Sequence, residues 1–377
     1  STYLNGGTID VKGNLVVGAA STRREGGTTV IRMSSAGAQS ISGGSATAFL
    51  PIIEIDKSSG EVTVTGDVYI VGEFRLKSGT FTSTSGTLTL GYNGLGNWTH
   101  TAGGTFNHNN GTVTFKMPQS WGSSTIIDVM GTETFYNLKF LGARGASVSL
   151  SSDTLDVLGK LTTDMWDPYS DASNGKINSG VLQAEGDVDL LNSATYGPQG
   201  GTATVTFKGA NNQLVTYATG NIPPGGTWTI DKTGGTVTLA TALSLNTAGQ
   251  QLVWTNGALN LSSNTLTVAG ATTIYPGATT FGVTVADTTK AGLLTCGSAV
   301  SGITNVGLAV AVAATAAQAQ GQTYTILTNS AVLVPPFKST TWVGPWLGTV
   351  SYTAGGNKTV TLSNIRRADR GTAVYFR

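Results

Sequence analysis

The chain is 377 residues long, enough for two or three ordinary domains or one long repetitive one. Only 11% of its residues are charged, against about 25% in typical soluble domains, and Gly reaches 52, so the surface must be largely neutral and rich in hydroxyls. Lys+Arg 21 against Asp+Glu 20 leaves a formal charge of +1, which offers no electrostatic footprint for nucleic acid or an anionic membrane.

Residues 1–26 carry strand-like Gly7-Thr-Ile-Asp-Val and Gly13-Asn-Leu-Val-Val, then Arg23-Arg-Glu, and no amphipathic capping helix. They are expected to form a strand-rich cap or assembly segment. Neither a basic n-region nor an apolar h-region follows Ser1, so the expected location is extracellular or at the cell surface, after removal of a signal peptide.

From residue 27 onward period-2 alternation dominates, as in Glu61-Val-Thr-Val-Thr, Thr87-Leu-Thr-Leu, Val113-Thr-Phe-Lys, Val205-Thr-Phe-Lys, Thr265-Leu-Thr-Val and Thr359-Val-Thr-Leu. Such alternation predicts short strands with one apolar face. Asn-Gly pairs at Asn93, Asn110, Asn174 and Asn256 punctuate the strands and leave no room for ordinary helices. The Ala-rich stretch Val310 to Gln320 is the only one with helical potential.

Three loose units of about 84–92 residues can be overlaid, at 27–110, 111–200 and 201–280. Each opens on a strand (Ile31-Arg-Met, Phe115-Lys-Met, Phe207-Lys) and runs through a polar stretch with a glutamine (Gln39, Gln119, Gln213). A second strand follows, then a third at Val62, Val148 or Val237, spaced by 86 and 89 residues. The stretch IDKSSGEVTV at Ile55 recurs as IDKTGGTVTL at Ile230; the middle unit keeps its turn and strand without the Asp-Lys. MWDPYSDASNG, within 164–178, reads as a loop pushed out of the repeat.

Short strands with tight turns predict an all-β fold, a right-handed parallel β-helix or β-solenoid, in which neighbouring rungs complete one another's core. At roughly 20–25 residues per rung the chain would make on the order of fifteen rungs. Residues 281–377, with the Pro- and Trp-rich VPPFKSTTWVGPWLG, are expected to be a β-rich end of the solenoid and an assembly segment.

The order GTVTF, glutamine-bearing stretch, FYNLKF and SVSLSSDTLDVLGKL resembles the repeats of bacterial surface and exported β-solenoid proteins, including autotransporter passengers and filamentous-haemagglutinin-like stalks, over roughly Gly27 to Gly270. Gln322-Thr-Tyr-Thr-Ile-Leu through Thr359-Val-Thr-Leu is similar to the segment that ends many passenger stalks. The resemblance implies an exported structural or adhesive protein. No outer-membrane barrel follows by Arg377.

Candidate chemistry is sparse. Asp187 and Asp189 could form the paired carboxylates of a polysaccharide-cleaving β-helix, but no Gly-His-Gly or adjacent basic partner accompanies them. Asp164, Asp167, Asp171 and Asn174 supply oxygens of the kind calcium prefers, at a spacing that fits no EF-hand; structural calcium is the one minor cofactor reading. His100 and His108 flank a Gly-Gly turn without a third metal ligand, and the lone Cys296 excludes an intrachain disulfide and reads as a small core residue. Trp98, Trp121, Trp166, Trp342 and Trp346 fall in turn-like surroundings, and four of them (Trp98, Trp121, Trp342, Trp346), with Phe337, are the candidates for ligand or subunit contact.

No catalytic constellation, cofactor motif or membrane-spanning run is present in these residues. The leading expectation is a non-enzymatic extracellular structural protein, partnered by further copies of itself through the solenoid ends, in a fibre, filament or matrix layer. A monomeric adhesin stalk that binds glycans or host protein is the alternative, and a polysaccharide-degrading β-helix the lesser one.

Overall fold

The computed structural model describes residues 4–18, 27–43, 49–91, 95–117, 124–143, 147–166, 176–191, 200–313, 319–330, 336–352 and 358–368. Strand accounts for 63% and helix for 1%, in parallel sheets stacked as a β-solenoid of about 11 turns. The turns are fewer than fifteen because their lengths vary. Partners on adjacent turns lie 22 residues apart at Ile31 and Ile53, but 29 apart at Val148 and Ile177 and 33 apart at Leu294 and Leu327, where corners carry insertions.

The chain forms two compact units, Ser1–Thr206 with Ala218–Gly226, and Phe207–Tyr217 with Thr227–Arg377. In the first, one parallel ladder, face A, runs through Thr8–Val11, Val30–Met33, the start of Ile52–Thr65, Phe74–Thr82 and Trp98–Asn107. Face B runs through Leu15–Val17, Gln39–Gly43 and the second half of Ile52–Thr65. Face C runs through Phe49–Leu50, Val68–Ile70, Thr87–Gly91, Thr112–Lys116, Asn137–Ala143 and Leu161–Trp166. Alternation sends every second side chain inward, so Ile31, Ile53, Phe74 and Trp98 stack in one buried column. A single turn cannot bury such a row; its neighbours do.

Val62 pairs with Gln39 and Phe81, whereas Val148 pairs with Thr125 and Ile177, on a different ladder. The 86-residue spacing therefore recurs as strand, turn and strand without returning to the same face. The period that sets register is the single turn.

In the second unit, parallel ladders join Trp228–Leu239, Leu252–Asn260 and Thr272–Val285, and separately Leu243–Leu245, Thr265–Val268, Leu293–Cys296 and Tyr324–Asn329. Lys358–Arg367 then pairs antiparallel with Tyr324–Asn329, and Trp346–Tyr352 antiparallel with Lys358–Arg367. The helical potential of 310–320 is not realised over 310–312, where Gly307–Val312 is a strand held in parallel register on Thr280 to Val285; residues 314–318 lie outside the described residues and Ala319 is in a 3-10 turn. Sheet pairing overrides alanine propensity there.

Candidate functional site

The duplicated Ile-Asp-Lys stretches occupy solenoid corners, and their lysines are the least expected feature of the interior. Lys57 is fully buried; its Nζ donates to the Ser35 carbonyl, to Gly37 O at 2.9 Å and to Gln39 Oε1 at 2.9 Å. Gln39 in turn donates through Nε2 to Val11 O at 2.8 Å and Gly13 O at 2.6 Å, which ties a third turn into the network. In the second unit the buried Lys232 donates to Lys208 O at 2.9 Å and to Gln213 Oε1 at 2.6 Å. Burial of an ammonium is tolerable only when its hydrogens are taken up, and here neutral oxygens of the preceding turn take them. Burial pushes the Lys57 pKa below the ordinary lysine value.

The next turn closes over each lysine with a glycine. A Cβ on Gly79 or on Gly257 would come within 2.7 Å of the Cβ of Lys57 or Lys232, and both glycines have positive φ, 83° and 84°. Gly79→Ala should therefore destabilise the first unit by about 1–3 kcal/mol in urea unfolding, through steric overlap and left-handed strain together. A cost below about half a kcal/mol would show that the corner relaxes freely.

The neighbouring aspartates act locally. Asp56 accepts from Ser78 Oγ at 3.1 Å, and Asp231 from Asn256 Nδ2 at 2.6 Å and Thr255 Oγ1 at 2.9 Å. The bond from Asn256 is the main cause that holds Asp231 below the usual carboxylate pKa, against its burial. Neither aspartate meets a second carboxylate in these contacts, and each ties its turn to the next, so the duplicated stretch acts as a corner staple.

Charge is concentrated outside face A. The register places Asp10, Arg32, Glu54 and Arg75 in one column of alternating sign over four turns. Arg32 Nε lies 2.6 Å from Glu54, Lys77 Nζ 2.8 Å from Glu54, and Arg75 2.6 Å from Glu73. Burial presses the Glu54 carboxyl upward, but hydrogen bonds from Lys77 and Arg32 outweigh it and hold its pKa below the ordinary glutamate value.

Inside the same unit an acid points into the core. Glu133 registers with the buried Leu155, and its Oε2 accepts from His100 Nδ1 at 2.6 Å and from Trp98 Nε1 at 3.3 Å. Phe74, Phe106, Phe115 and Phe135 pack around Trp98 with ring centroids 4.4 to 6.2 Å away. The hydrogen bond to Glu133 raises the His100 pKa despite its burial.

The structure separates most of the other candidates. His108 accepts at Nδ1 from Asn110 N and stacks on Tyr136, so it does not join His100. Asp189 is held by Lys160 Nζ at 2.9 Å, and Asp187, one residue before the Val188–Leu190 strand, also acts on that ammonium, whose pKa the two carboxylates raise. Asp164 is buried on face C, while Asp167, Asp171 and Asn174 lie outside the described residues. Among the described residues no group of three or more His, Cys, Asp or Glu is placed to hold a metal ion. Cys296 is buried beside Thr272 Oγ1 at 3.1 Å, and burial pushes its thiol up to about 11, which leaves it unreactive at neutral pH.

Trp98 is wholly buried and presents no surface to a ligand, while Trp121 lies outside the described residues. Trp346 is also buried, with Arg367 over its ring at 5.8 Å; Phe337 stacks on Phe281 at 5.8 Å; half-buried Trp342 sits on Ser339–Trp342, paired with Gly307–Val312. These aromatics close the core of the second unit, and their Gly- and Pro-rich neighbours gave no sign of that.

The first turn is different. Ile9 registers with Ile31 on the core side, yet it is 45% exposed where Ile31 is 5% exposed, because among the described residues no strand lies beyond Thr8–Val11. No helix among the described residues is long and apolar enough to cross a membrane. No protein-family model and no curated protein matches this chain.

Proposed function

We propose that the protein is a structural subunit of a bacterial extracellular fibre, filament or surface matrix, which works without catalysis by joining copies of itself through solenoid ends. The observation that carries this reading is the Thr8–Val11 strand, which among the described residues pairs on one side only and leaves the core-side Ile9 half-exposed. Such an edge invites another strand. The resemblance of the repeats to exported bacterial stalks supports the same reading, as does the low charge, which weakens repulsion between identical surfaces. Electron micrographs and light scattering of the purified chain over a concentration series should show linear assemblies. Dispersed monomers at the highest concentration would count against polymerisation.

A monomeric adhesin stalk is the second reading, favoured by the open groove on face C lined by Thr112, Asn137, Lys139, Lys160 and Thr162. It would give selective signals on a glycan array while scattering as a monomer.

A further inference from the structure

We infer that a polar cleft at one corner of the second unit binds an acidic saccharide, with a sugar carboxylate on Lys290 and sugar hydroxyls on the serine and threonine side chains around it. The inference depends neither on end-to-end joining nor on the face C groove. The offset between paired residues grows from 22 at Asn260 and Gly282 to 28 at Leu266 and Leu294, and on the next turn from 27 at Val285 and Val312 to 33 at Leu294 and Leu327. The extra residues of both turns therefore fall at the same corner, ahead of the Leu293–Cys296 and Tyr324–Asn329 strands. Stacking needs no such addition, and surface insertions on a rigid scaffold are where binding groups concentrate.

The first of these insertions, residues 286–291, is held in one shape. Ala286 N donates to Lys290 O at 2.8 Å, and Asp287 Oδ1 accepts from Thr289 N at 2.7 Å, Thr289 Oγ1 at 2.9 Å and Lys290 N at 2.8 Å. From the next turn Tyr324 donates its hydroxyl to Asp287 O at 2.8 Å. Beside this corner opens a cleft of about 480 Å³, within the roughly 300–1,000 Å³ of small-molecule sites. A wall fixed before binding spares the ligand the cost of ordering it.

The lining selects the ligand's chemistry. Ser263, Thr265, Thr323 and Thr325 line the cleft, and none of their hydroxyls bonds to another described residue. A hydroxyl both donates and accepts, which matches the hydroxyls of a sugar and offers an apolar ligand nothing. Lys290 is the one charged residue in the lining; it is exposed, and among the described residues no carboxylate lies within ion-pair distance of its Nζ. Its charge is felt by Asp287, whose Oδ1 is already taken up by its own loop. One ammonium suits a single carboxylate and falls short of the dense charge of a nucleic acid. Ala242, Ala291 and Leu293 supply a small apolar area for the C–H faces of a sugar ring.

Titration calorimetry of the full chain against short oligomers of galacturonate, glucuronate and mannuronate, each beside its methyl ester, tests this. At least one acidic oligomer should bind, and its methyl ester, which loses only the charge, should bind about tenfold more weakly. Lys290→Gln should weaken binding of the acid by about the same factor and leave the ester unaffected. Thr265→Val keeps the side chain's shape and should weaken both by about three- to tenfold. Circular dichroism and thermal melting confirm that each variant folds. No binding by any acidic oligomer, or equal binding of acid and ester, overturns the inference. Binding that Lys139→Gln abolishes and Lys290→Gln leaves untouched places the saccharide on face C, which overturns this cleft while the adhesin reading stands.

Discussion

Lys57→Met should cost the first unit about 2–4 kcal/mol. Methionine fills nearly the same space, so the cost is electrostatic. It takes the ammonium from the half-buried Ser35 carbonyl, from the exposed Gly37 carbonyl and from the buried Gln39 Oε1, which keeps only Ser35 N as a donor at 3.1 Å, and a buried acceptor that loses its donor costs about 1–3 kcal/mol. Lys232→Met should act the same way in the second unit, where Lys208 O and Gln213 lose the ammonium. Denaturant unfolding would measure both, and a loss below about 1 kcal/mol in each would mean that water or a shifted corner replaces the ammonium. Because burial holds the folded Lys57 pKa below its unfolded value, the unfolded chain binds more protons in the window between the two. The first unit should therefore gain stability as the pH rises through that window, and Lys57→Met should remove that slope.

That staple shows where reading the sequence succeeded and where it stopped. Alternation such as Thr87-Leu-Thr-Leu fixed strands and inward faces, because period 2 is a local property of an extended chain. The recurrence of Ile-Asp-Lys was visible too, and so were Gln39 and Gln213, which precede the lysines by 18 and 19 residues. What could not be read locally was that these spacings fall near one solenoid turn and bring glutamine and lysine together. A buried lysine also runs against composition-based expectation, which places lysine on the surface. Trp98 and Trp346 were misplaced for the converse reason: a Gly-rich neighbourhood marks a turn, but inside a solenoid the residue after a turn already points into the core. Turn number depended on corner insertions, which no periodicity records.

The Glu133–His100 pair should behave as a two-sided wager. His100→Leu leaves a carboxylate buried against Trp98 and four phenylalanines, a loss of about 3–5 kcal/mol by the usual cost of an unpaired buried charge. Replacing both, His100→Leu with Glu133→Leu, removes the charge and its partner together and should recover most of that loss. Leu76 registers with His100, Leu155 with Glu133, and Phe74 and Ile127 with the neighbouring Trp98, and none of the four carries a titratable group. Gly104 leaves the imidazole its room: a Cβ there would sit 2.9 Å from His100 Nε2. With the His100 pKa raised in the folded state, the stabilisation is fully present below the unfolded value of about 6.5 and is lost as the pH rises through the folded value. Unfolding free energy should fall over that interval in the native chain and stay flat in the double variant. Trp98 reports the same event directly, because its indole N–H shares the oxygen that binds His100. A fluorescence titration without a step that disappears in the double variant would show that the imidazole and the carboxylate are not coupled in solution.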